Sequence, residues 1–313
     1  MQKLIKNELI KIFKRKNIYI LILIGITIIL GYNSYQKMIN SDVDIQRQYE
    51  RGYKIDTFYL ENYEHLELDE SYDNIRERKA LEKYAVENKI TYNILLNSQN
   101  KSAIIPLDAR NLLMKFFNKF DIIICFIIIY LSCISVLEEF HDGTIKNLLT
   151  KPHKRFKILL SKILSNLLIS LFIIVGMILF QYIIGGFLFG FDSYSLEAIR
   201  YNYYTESIET MSLAKYLIII GLARWPFYLL IGAISMLIGL VTNNIAFDII
   251  ISFGVYMLSK LKNINIINNF NINNYLFTTD TLIIQSIFVS IISIITIVLL
   301  SFCIFNNKDI KNI

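Results

Sequence analysis

The chain has 313 residues, of which 54% are hydrophobic and 19% are charged, and its formal net charge is +6. A soluble domain of this size carries more charge and less Ile and Phe, so the composition excludes a soluble globular protein. The apolar runs are continuous rather than alternating, which favours membrane-spanning helices over a membrane β-barrel. We therefore expect an all-α integral membrane protein.

Residues 1–17 form a basic and amphipathic segment at the start of the chain. Lysines crowd one side of a helix drawn through this segment, and the other side carries Leu4, Ile5, Leu9, Ile12 and Phe13. This pattern is typical of a helix that lies in the membrane interface. We expect an interfacial elbow helix that leads into the first span; a solvated basic leader is the alternative. A cleaved signal peptide is disfavoured because the first apolar run lacks a small-residue cleavage site.

Six apolar runs approach or exceed the roughly 20 residues that a helix needs to cross about 30 Å of hydrocarbon. They cover residues 18–32, 121–137, 163–184, 213–241, 245–259 and 281–305. The first run is short, so we expect its helix to extend outward. Lysines and arginines concentrate before the first run and between the second and third, which predicts that both regions are cytoplasmic. Lys308 and Lys311 predict a cytoplasmic C-terminus as well.

These runs divide the chain into four parts. The predicted parts are the elbow at 1–17, the first span at 18–32, an extracellular loop domain at 33–111, and spans two to six at 112–313 with a charged connecting segment at 138–162. The loop domain is rich in helix formers, and its acids precede bases at helical spacing, so we expect helices there. Nine tyrosines fall from Tyr32 to Tyr92. They either build a small helical core or bind a ligand at the membrane surface.

A few polar or special residues interrupt the predicted spans. We expect Asp121 to cap the start of the second span and Asp248 to lie at the inner interface. Arg224 is interpreted as an interface anchor, with Pro226 in a first helical turn; a pore charge is the alternative. Three glycines predict a break or close packing at the outer end of the third span: Gly185, Gly186 and Gly190.

Several kinds of site are not indicated by the sequence. The cysteines fall in predicted spans and the histidines lie in separate loops, which predicts no disulfide framework and no metal site. No glycine is followed by lysine, so the chain lacks a phosphate-binding P-loop, and we expect no cofactor to be bound by this chain. Any ATP chemistry then belongs to a partner. The basic residues cluster at the membrane face, which favours anionic lipids over nucleic acid as their partner.

The connecting segment has the signals of a short helix between two turns. Asp142 or Thr144 can cap it, Gly143 allows a sharp turn, and Pro152 prevents continuation beyond residue 151. The predicted two-turn helix carries an apolar stripe of Ile145, Leu148 and Leu149. A connection between two spans needs no such stripe unless a partner docks there. An ordinary basic loop whose apolar residues face lipid is the alternative.

The connecting segment resembles the signature E-x-x-x-G-T-x-K-x-L-L-x-x-P-x-x-R of the permeases of type-2 ABC transporters. The residues that carry the resemblance are Glu139, Gly143, Thr144, Lys146, Leu148, Leu149, Pro152, Arg155 and Lys162. The basic elbow, the six spans and the position of the signature between the second and third spans are also similar to these permeases. The long outer loop departs from many members, which join the first two spans more briefly.

The resemblance implies a permease that pairs with a second permease subunit, identical or similar, and with two cytoplasmic ABC ATPase subunits that use ATP and Mg²⁺. Residues 144–151 would be the coupling helix. The residues implied in ATPase coupling are Glu139, Gly143, Thr144, Ile145, Lys146, Leu148, Leu149, Pro152 and Arg155. The chain resembles bacterial permeases of antimicrobial-peptide export and resistance, so the implied cargo is peptide or lipid-like, and the implied location is a bacterial cell membrane.

Two other classes of function remain as alternatives. A membrane sensor or immunity protein would bind an antibiotic with the outer loop and transport nothing. A membrane protease of the glutamate type would use the pair Glu138 and Glu139, but residue 143 is Gly and no later span contains histidine. We therefore expect no enzymatic activity in the chain itself.

Overall fold

The computed structural model describes residues 1–39, 44–65, 72–90, 109–141, 155–191, 198–202, 206–260 and 280–307. The α-helices of these residues are α1 (Gln2–Phe13), α2 (Lys16–Ile39), α3 (Ile45–Glu61), α4 (Tyr72–Glu87), α5 (Ala109–Met114), α6 (Phe116–His141), α7 (Arg155–Phe189), α8 (Leu213–Thr242), α9 (Ile245–Leu258) and α10 (Asp280–Asn307). A 3₁₀ turn covers Tyr63–His65. Strands β1 (Ala198–Asn202) and β2 (Ser207–Met211) form an antiparallel hairpin.

Five helices in the described part of the chain are long and apolar enough to cross a membrane. The candidate spans are Lys16–Met38, Lys119–Phe140, Arg155–Phe189, Leu213–Thr242 and Ile287–Asn306. The remaining predicted span, 245–259, corresponds to α9, an apolar helix of 14 residues. At about 1.5 Å per residue α9 covers about 21 Å, less than the hydrocarbon thickness of about 30 Å. The protein is thus a multi-pass membrane protein, and the count of six spans stays a prediction.

Helix α6 forms the centre of the bundle. In its most apolar stretch 78% of the residues are buried, against 22% in α2 and 11% in α10. Helices α7, α8 and α9 pack directly on α6, whereas α10 packs mainly on α8. The largest hydrophobic cluster accordingly joins α6 to its neighbours through residues such as Phe117, Ile124, Ile173 and Tyr228. Because α2 and α10 bury so little, most of their apolar surface faces outward from the bundle.

The helix ends follow local sequence signals. Between α8 and α9 the chain turns at Asn243, which has a φ of +53°, and the Asn244 side chain caps α9 by accepting hydrogen bonds from the next backbone amides. Helix α7 continues through Gly185 and Gly186 and ends at Phe189, before Gly190 at a φ of +92°. Only glycine adopts such a φ without strain, so the predicted break lies at this one glycine.

The predicted loop domain contains two packed helices, α3 and α4. Between them Arg78 donates two hydrogen bonds to Asp56, at 2.5 and 2.6 Å, and both side chains are buried. A small hydrophobic cluster includes Tyr49, Leu81 and Ala85, together with Ile199 of the hairpin. We call α3, α4 and the hairpin the outer unit. Its tyrosine Tyr49 is a core residue, in keeping with one of the two interpretations of the tyrosines.

Three expectations differ from the structure. The β-hairpin was not predicted, because its residues lack a long alternating pattern; both of its strands pack on α4. Asp121 does not cap α6, since that helix begins at Phe116. Pro226 lies inside α8 rather than in a first turn, because the apolar residues before it also form helix; proline is tolerated inside membrane helices when neighbours satisfy the freed carbonyl.

Candidate functional site

Charged side chains from three elements meet where α6 ends and α7 begins. They are Glu8, Lys11, Arg15, Glu138, Glu139 and Lys162, and we call them the basal cluster. Arg15 pairs with Glu138, and the other four form an alternating ring of two acids and two bases. The cluster therefore joins α1 and the turn after it to both helices that flank the connecting segment.

Lys162 occupies the centre of the ring. Its Nζ lies 2.8 Å from Glu139 Oε2 and 3.1 Å from Glu8 Oε2, and it donates a hydrogen bond of 2.5 Å to the carbonyl oxygen of Ser135. Lys11 closes the ring, with its Nζ 2.5 Å from Glu139 and 3.1 Å from Glu8. The side chain of Lys162 is only 3% exposed. Removing this buried lysine would leave the acids Glu8 and Glu139 without their central cation, which costs several kcal/mol.

The chain positions of these residues give the cluster its geometry. Glu8 and Lys11 are three residues apart on α1 and so share a face, while Glu139 lies in the last turn of α6. Lys162 lies two turns into α7. In the sequence, Glu139 lies three residues before the stretch 142–154 and Lys162 lies eight residues after it. The two helices that flank this stretch, α6 and α7, are therefore both paired with α1.

Two of the predicted coupling residues lie in the described part of the chain. Glu139 is in the basal cluster, and Arg155 begins α7 and donates a hydrogen bond of 2.6 Å to the carbonyl oxygen of Asn306 in α10. Seven others lie outside the described residues: Gly143, Thr144, Ile145, Lys146, Leu148, Leu149 and Pro152. Sequence reasoning missed Glu8 and Lys11. The sequence did contain a signal for Glu8, because it is the only acidic residue among residues 1–41 and lies in an otherwise basic segment.

A row of mostly polar residues, which we call the polar stripe, begins at the basal cluster and runs along one face of α6 towards the start of that helix. Its members recur every three or four residues: Asp121, Cys125, Ile128, Ser132, Ser135 and Glu139. Asn166 of α7 donates a hydrogen bond of 3.2 Å to Ser135 Oγ. Asn166, Ser132 and Tyr228 then line a small cavity of about 60 Å³ between α6, α7 and α8. The stripe places polar groups inside an otherwise apolar bundle.

A second group of buried charged side chains lies at the end of the polar stripe farthest from the basal cluster. Asp121 accepts hydrogen bonds from the hydroxyls of Tyr228 at 2.6 Å and Tyr256 at 2.9 Å, and it pairs with Lys260. Arg224 also lies in this region, 4% exposed, with its guanidinium 5.1 Å from the centre of the Phe117 ring. Arg224 is thus a buried side chain in a cation–π contact and not the interface anchor that the sequence suggested.

Asp248 lies in the first turn of α9, where it is buried between α8 and α9; its expected position at the inner interface stays a prediction. It is fully buried and accepts hydrogen bonds from Ser252 Oγ at 2.8 Å and Ser235 Oγ at 3.2 Å. Hydroxyl donors are the usual compensation for a polar group in an apolar interior. Among the residues that the structure describes, no group of His, Cys, Asp and Glu side chains could hold a metal ion.

A family model gives independent information on the chain. The model of the ABC-2 family transporter protein matches residues 2–274, a stretch that contains the basal cluster, the connecting segment and the polar stripe. No protein of curated function and no solved structure is significantly similar to the chain. The apolar helices and this match agree on a multi-pass membrane component, and components of this family partner an ABC ATPase. The chain therefore belongs to the ABC-2 family of transporter proteins.

Proposed function

We propose that the chain is the permease subunit of an ATP-driven exporter of a peptide or lipid-like amphipathic substrate, such as an antimicrobial peptide. It acts with a second permease subunit, identical or similar, and with two cytoplasmic ATPase subunits. The ATPase subunits use ATP and Mg²⁺, and this chain supplies the membrane path. The complex lies in a bacterial cell membrane, with both termini of this chain in the cytoplasm.

The observation that carries the proposal is the basal cluster. A partner that pushes on the connecting segment pushes on residues held to α1, α6 and α7 by buried ion pairs. Breaking a buried pair costs about 3–5 kcal/mol, whereas tilting packed helices together breaks no such pair. The three helices therefore move as one body, which is the requirement for a lever between an ATPase and the membrane path.

The docking contact is assigned to the predicted helix at 144–151. Ile145, Leu148 and Leu149 insert into an apolar groove on the ATPase, and the approach and separation of two ATPases rock the two bundles. The polar stripe on α6 supports an amphipathic cargo, because a path for such a molecule must accept both polar and apolar groups. Lys260 and Asp121 at its far end add charge to that path.

The first experiment tests docking. Leu148→Asp combined with Leu149→Asp puts unpaired charge in the contact, so the ATPase should no longer co-purify, while membrane insertion and the melting temperature of the permease stay unchanged. Asn147→Asp is the matched control, since residue 147 lies opposite the apolar stripe on a helix. Normal partner binding and cargo-dependent ATP hydrolysis in the double variant would refute the proposed coupling.

The second experiment tests the lever. Glu139→Gln removes the charge that faces Lys11 and Lys162 but leaves the predicted docking stripe intact. We expect the variant to bind the ATPase normally and to lose most of the stimulation of ATP hydrolysis by a cationic peptide in reconstituted vesicles. Unaltered stimulation would show that the basal cluster only stabilises the fold.

A second candidate function is a sensor or immunity protein that binds an antibiotic without transport. The outer unit favours this candidate, because it has its own core and a buried Arg78–Asp56 pair and so presents a defined surface. Vesicles that contain the permease and its ATPase distinguish the two. Peptide accumulation that requires ATP supports export, whereas saturable peptide binding with no ATP-dependent movement supports sequestration.

A further inference from the structure

An apolar groove runs between α7 and α8 on the outside of the bundle. It has a volume of about 310 Å³, and its walls are Leu171, Ile174, Val175, Ile178, Leu179, Leu217, Ile218, Gly221, Leu222 and Trp225. Four of these wall residues are 46–61% exposed: Val175, Leu179, Ile218 and Leu222. In a membrane such a surface meets hydrocarbon rather than water.

The groove has a floor and a closed end. Gly221 lies between Ile218 and Leu222 on the wall of the groove and carries no side chain; a Cβ added there would lie 3.7 Å from the Phe117 ring of α6, an ordinary contact distance. Trp225 closes the groove towards the middle of the bundle, where its Nε1 donates a hydrogen bond of 3.2 Å to Ser170 Oγ. The groove follows α8 from Leu217 to Trp225, and Leu217 is at the end nearer to the start of the helix.

The distance along α8 from Lys215 to Trp225 matches the thickness of one leaflet. Lys215, the third residue of α8, is exposed and shares a helix face with Ile218 and Leu222. Ten residues separate it from Trp225, which corresponds to about 15 Å along the helix. Half of a hydrocarbon core of about 30 Å is the same distance. A lipid with its headgroup beside Lys215 and its chain end at Trp225 thus extends through about one leaflet.

The lining of the groove selects the kind of occupant. All of its wall side chains are apolar apart from the Trp225 Nε1, which already donates a hydrogen bond to Ser170. An occupant finds no polar partner among these walls, so the part of it that lies in the groove is hydrocarbon. A phospholipid acyl chain meets this requirement, and the charged headgroup of the same lipid needs a partner beyond the groove.

We propose that this groove is a binding site for one phospholipid, with an acyl chain against Gly221 and Trp225 and the phosphate beside Lys215. The Lys215 ammonium is a mobile point charge on a long stem, and such a group reaches a phosphate oxygen at the headgroup level. The lipid is a resident ligand of the permease. The inference does not depend on the nature of the cargo.

Native mass spectrometry of the purified full-length protein tests the acyl-chain contact. The wild-type protein should retain one phosphatidylglycerol after the annular lipid is stripped, and Gly221→Leu, which fills the floor, should lose it. Gly176→Leu is the matched control, because that glycine lies on the exposed side of α7 with open space around it. Should Gly221→Leu fail to fold, Ile218→Trp fills the same groove from its exposed rim. Equal lipid retention in the filled variant and the control would overturn the proposal.

The phosphate contact is tested with two probes that have the same acyl chains. The wild-type protein should bind phosphatidylglycerol about tenfold more tightly than diacylglycerol, which lacks the phosphate, because a hydrogen bond to a charged group contributes about that factor. Lys215→Gln should remove this preference. A preference that persists in the variant, or a photoreactive group at residue 222 that crosslinks to a second copy of the chain instead of lipid, would contradict the assignment.

Discussion

Glu82 of the outer unit offers the sharpest test of how burial controls an acid in this protein. Its side chain is buried between α3 and α4, beside the Asp56–Arg78 pair. Burial, and next the negative charge of Asp56, raise the pKa of Glu82 from 4.5 to about 9. The Glu82 carboxyl therefore keeps its proton at neutral pH and shares a hydrogen bond with Asp56. We predict that Glu82→Gln stabilises the outer unit at neutral and alkaline pH.

The sign and size of the effect follow from proton linkage. Between pH 4.5 and 9 the folded unit binds one more proton at Glu82 than the unfolded chain does. The contribution of Glu82 to the free energy of unfolding is therefore full below pH 4.5 and is lost as the pH rises towards 9, by about 1.4 kcal/mol per pH unit. From pH 5 to pH 8 the loss is about 4 kcal/mol, and at pH 7 the glutamine variant should be about 3 kcal/mol more stable than wild type.

Hydrogen exchange of the full-length protein in detergent measures this effect. Opening free energies of amides in α3 and α4 are taken at pH 5, 6, 7 and 8, after correction for the intrinsic exchange rate at each pH. Glu87→Gln is the control, because the Glu87 side chain is 61% exposed on the same helix. In wild type and the control, the opening free energy should fall as the pH rises. In Glu82→Gln the opening free energy should be nearly independent of pH. Parallel pH profiles for wild type and Glu82→Gln would refute the reasoning.

Two further predictions concern charge burial and helix termination. Lys162→Met leaves the acids of the basal cluster buried without their central cation and should lower the free energy of unfolding by about 3–5 kcal/mol. Lys11→Met, at a side chain that is 42% exposed, should cost about 1 kcal/mol or less; equal losses in denaturant unfolding would contradict the burial argument. Gly190→Val puts a branched residue at a φ of +92°. The substitution should lower the free energy of unfolding by about 1–3 kcal/mol, and the melting temperature with it. Gly176→Val, on an open helix surface, should not lower it. Equal melting temperatures for the two variants would count against strain at Gly190.

The amino-acid sequence by itself determined the class of the protein. In lipid each backbone amide must find its partner within its own segment, so a continuous apolar run becomes a helix whatever surrounds it. The end of α7 could also be predicted from the local sequence, because the positive φ at Gly190 requires no distant contact. The family was also accessible from the sequence, because the residues that carry the resemblance lie close together in the chain, between Glu139 and Lys162.

Single polar residues in apolar runs were less readable. Asp121 looked like a cap because it is the first residue of a strongly apolar run, but the aromatic residues before it extend the helix to Phe116. Arg224 has the same local sequence whether it anchors at an interface or stacks on a buried ring. Only the packing of α8 against α6 decides between these environments, and it places Arg224 over Phe117.

The basal cluster and the lipid groove depend on the tertiary structure alone. Glu8 and Lys162 are separated by 154 positions, and no local pattern indicates that α1 packs on α7 and pairs them. The groove arises in the same way, because α7 and α8 each supply one of its two walls. A backbone hydrogen bond within a helix joins residues four positions apart, so it follows from the local sequence. Which charges become buried, and where a groove forms, depends on which helices pack together. That is decided by the packing of the whole bundle.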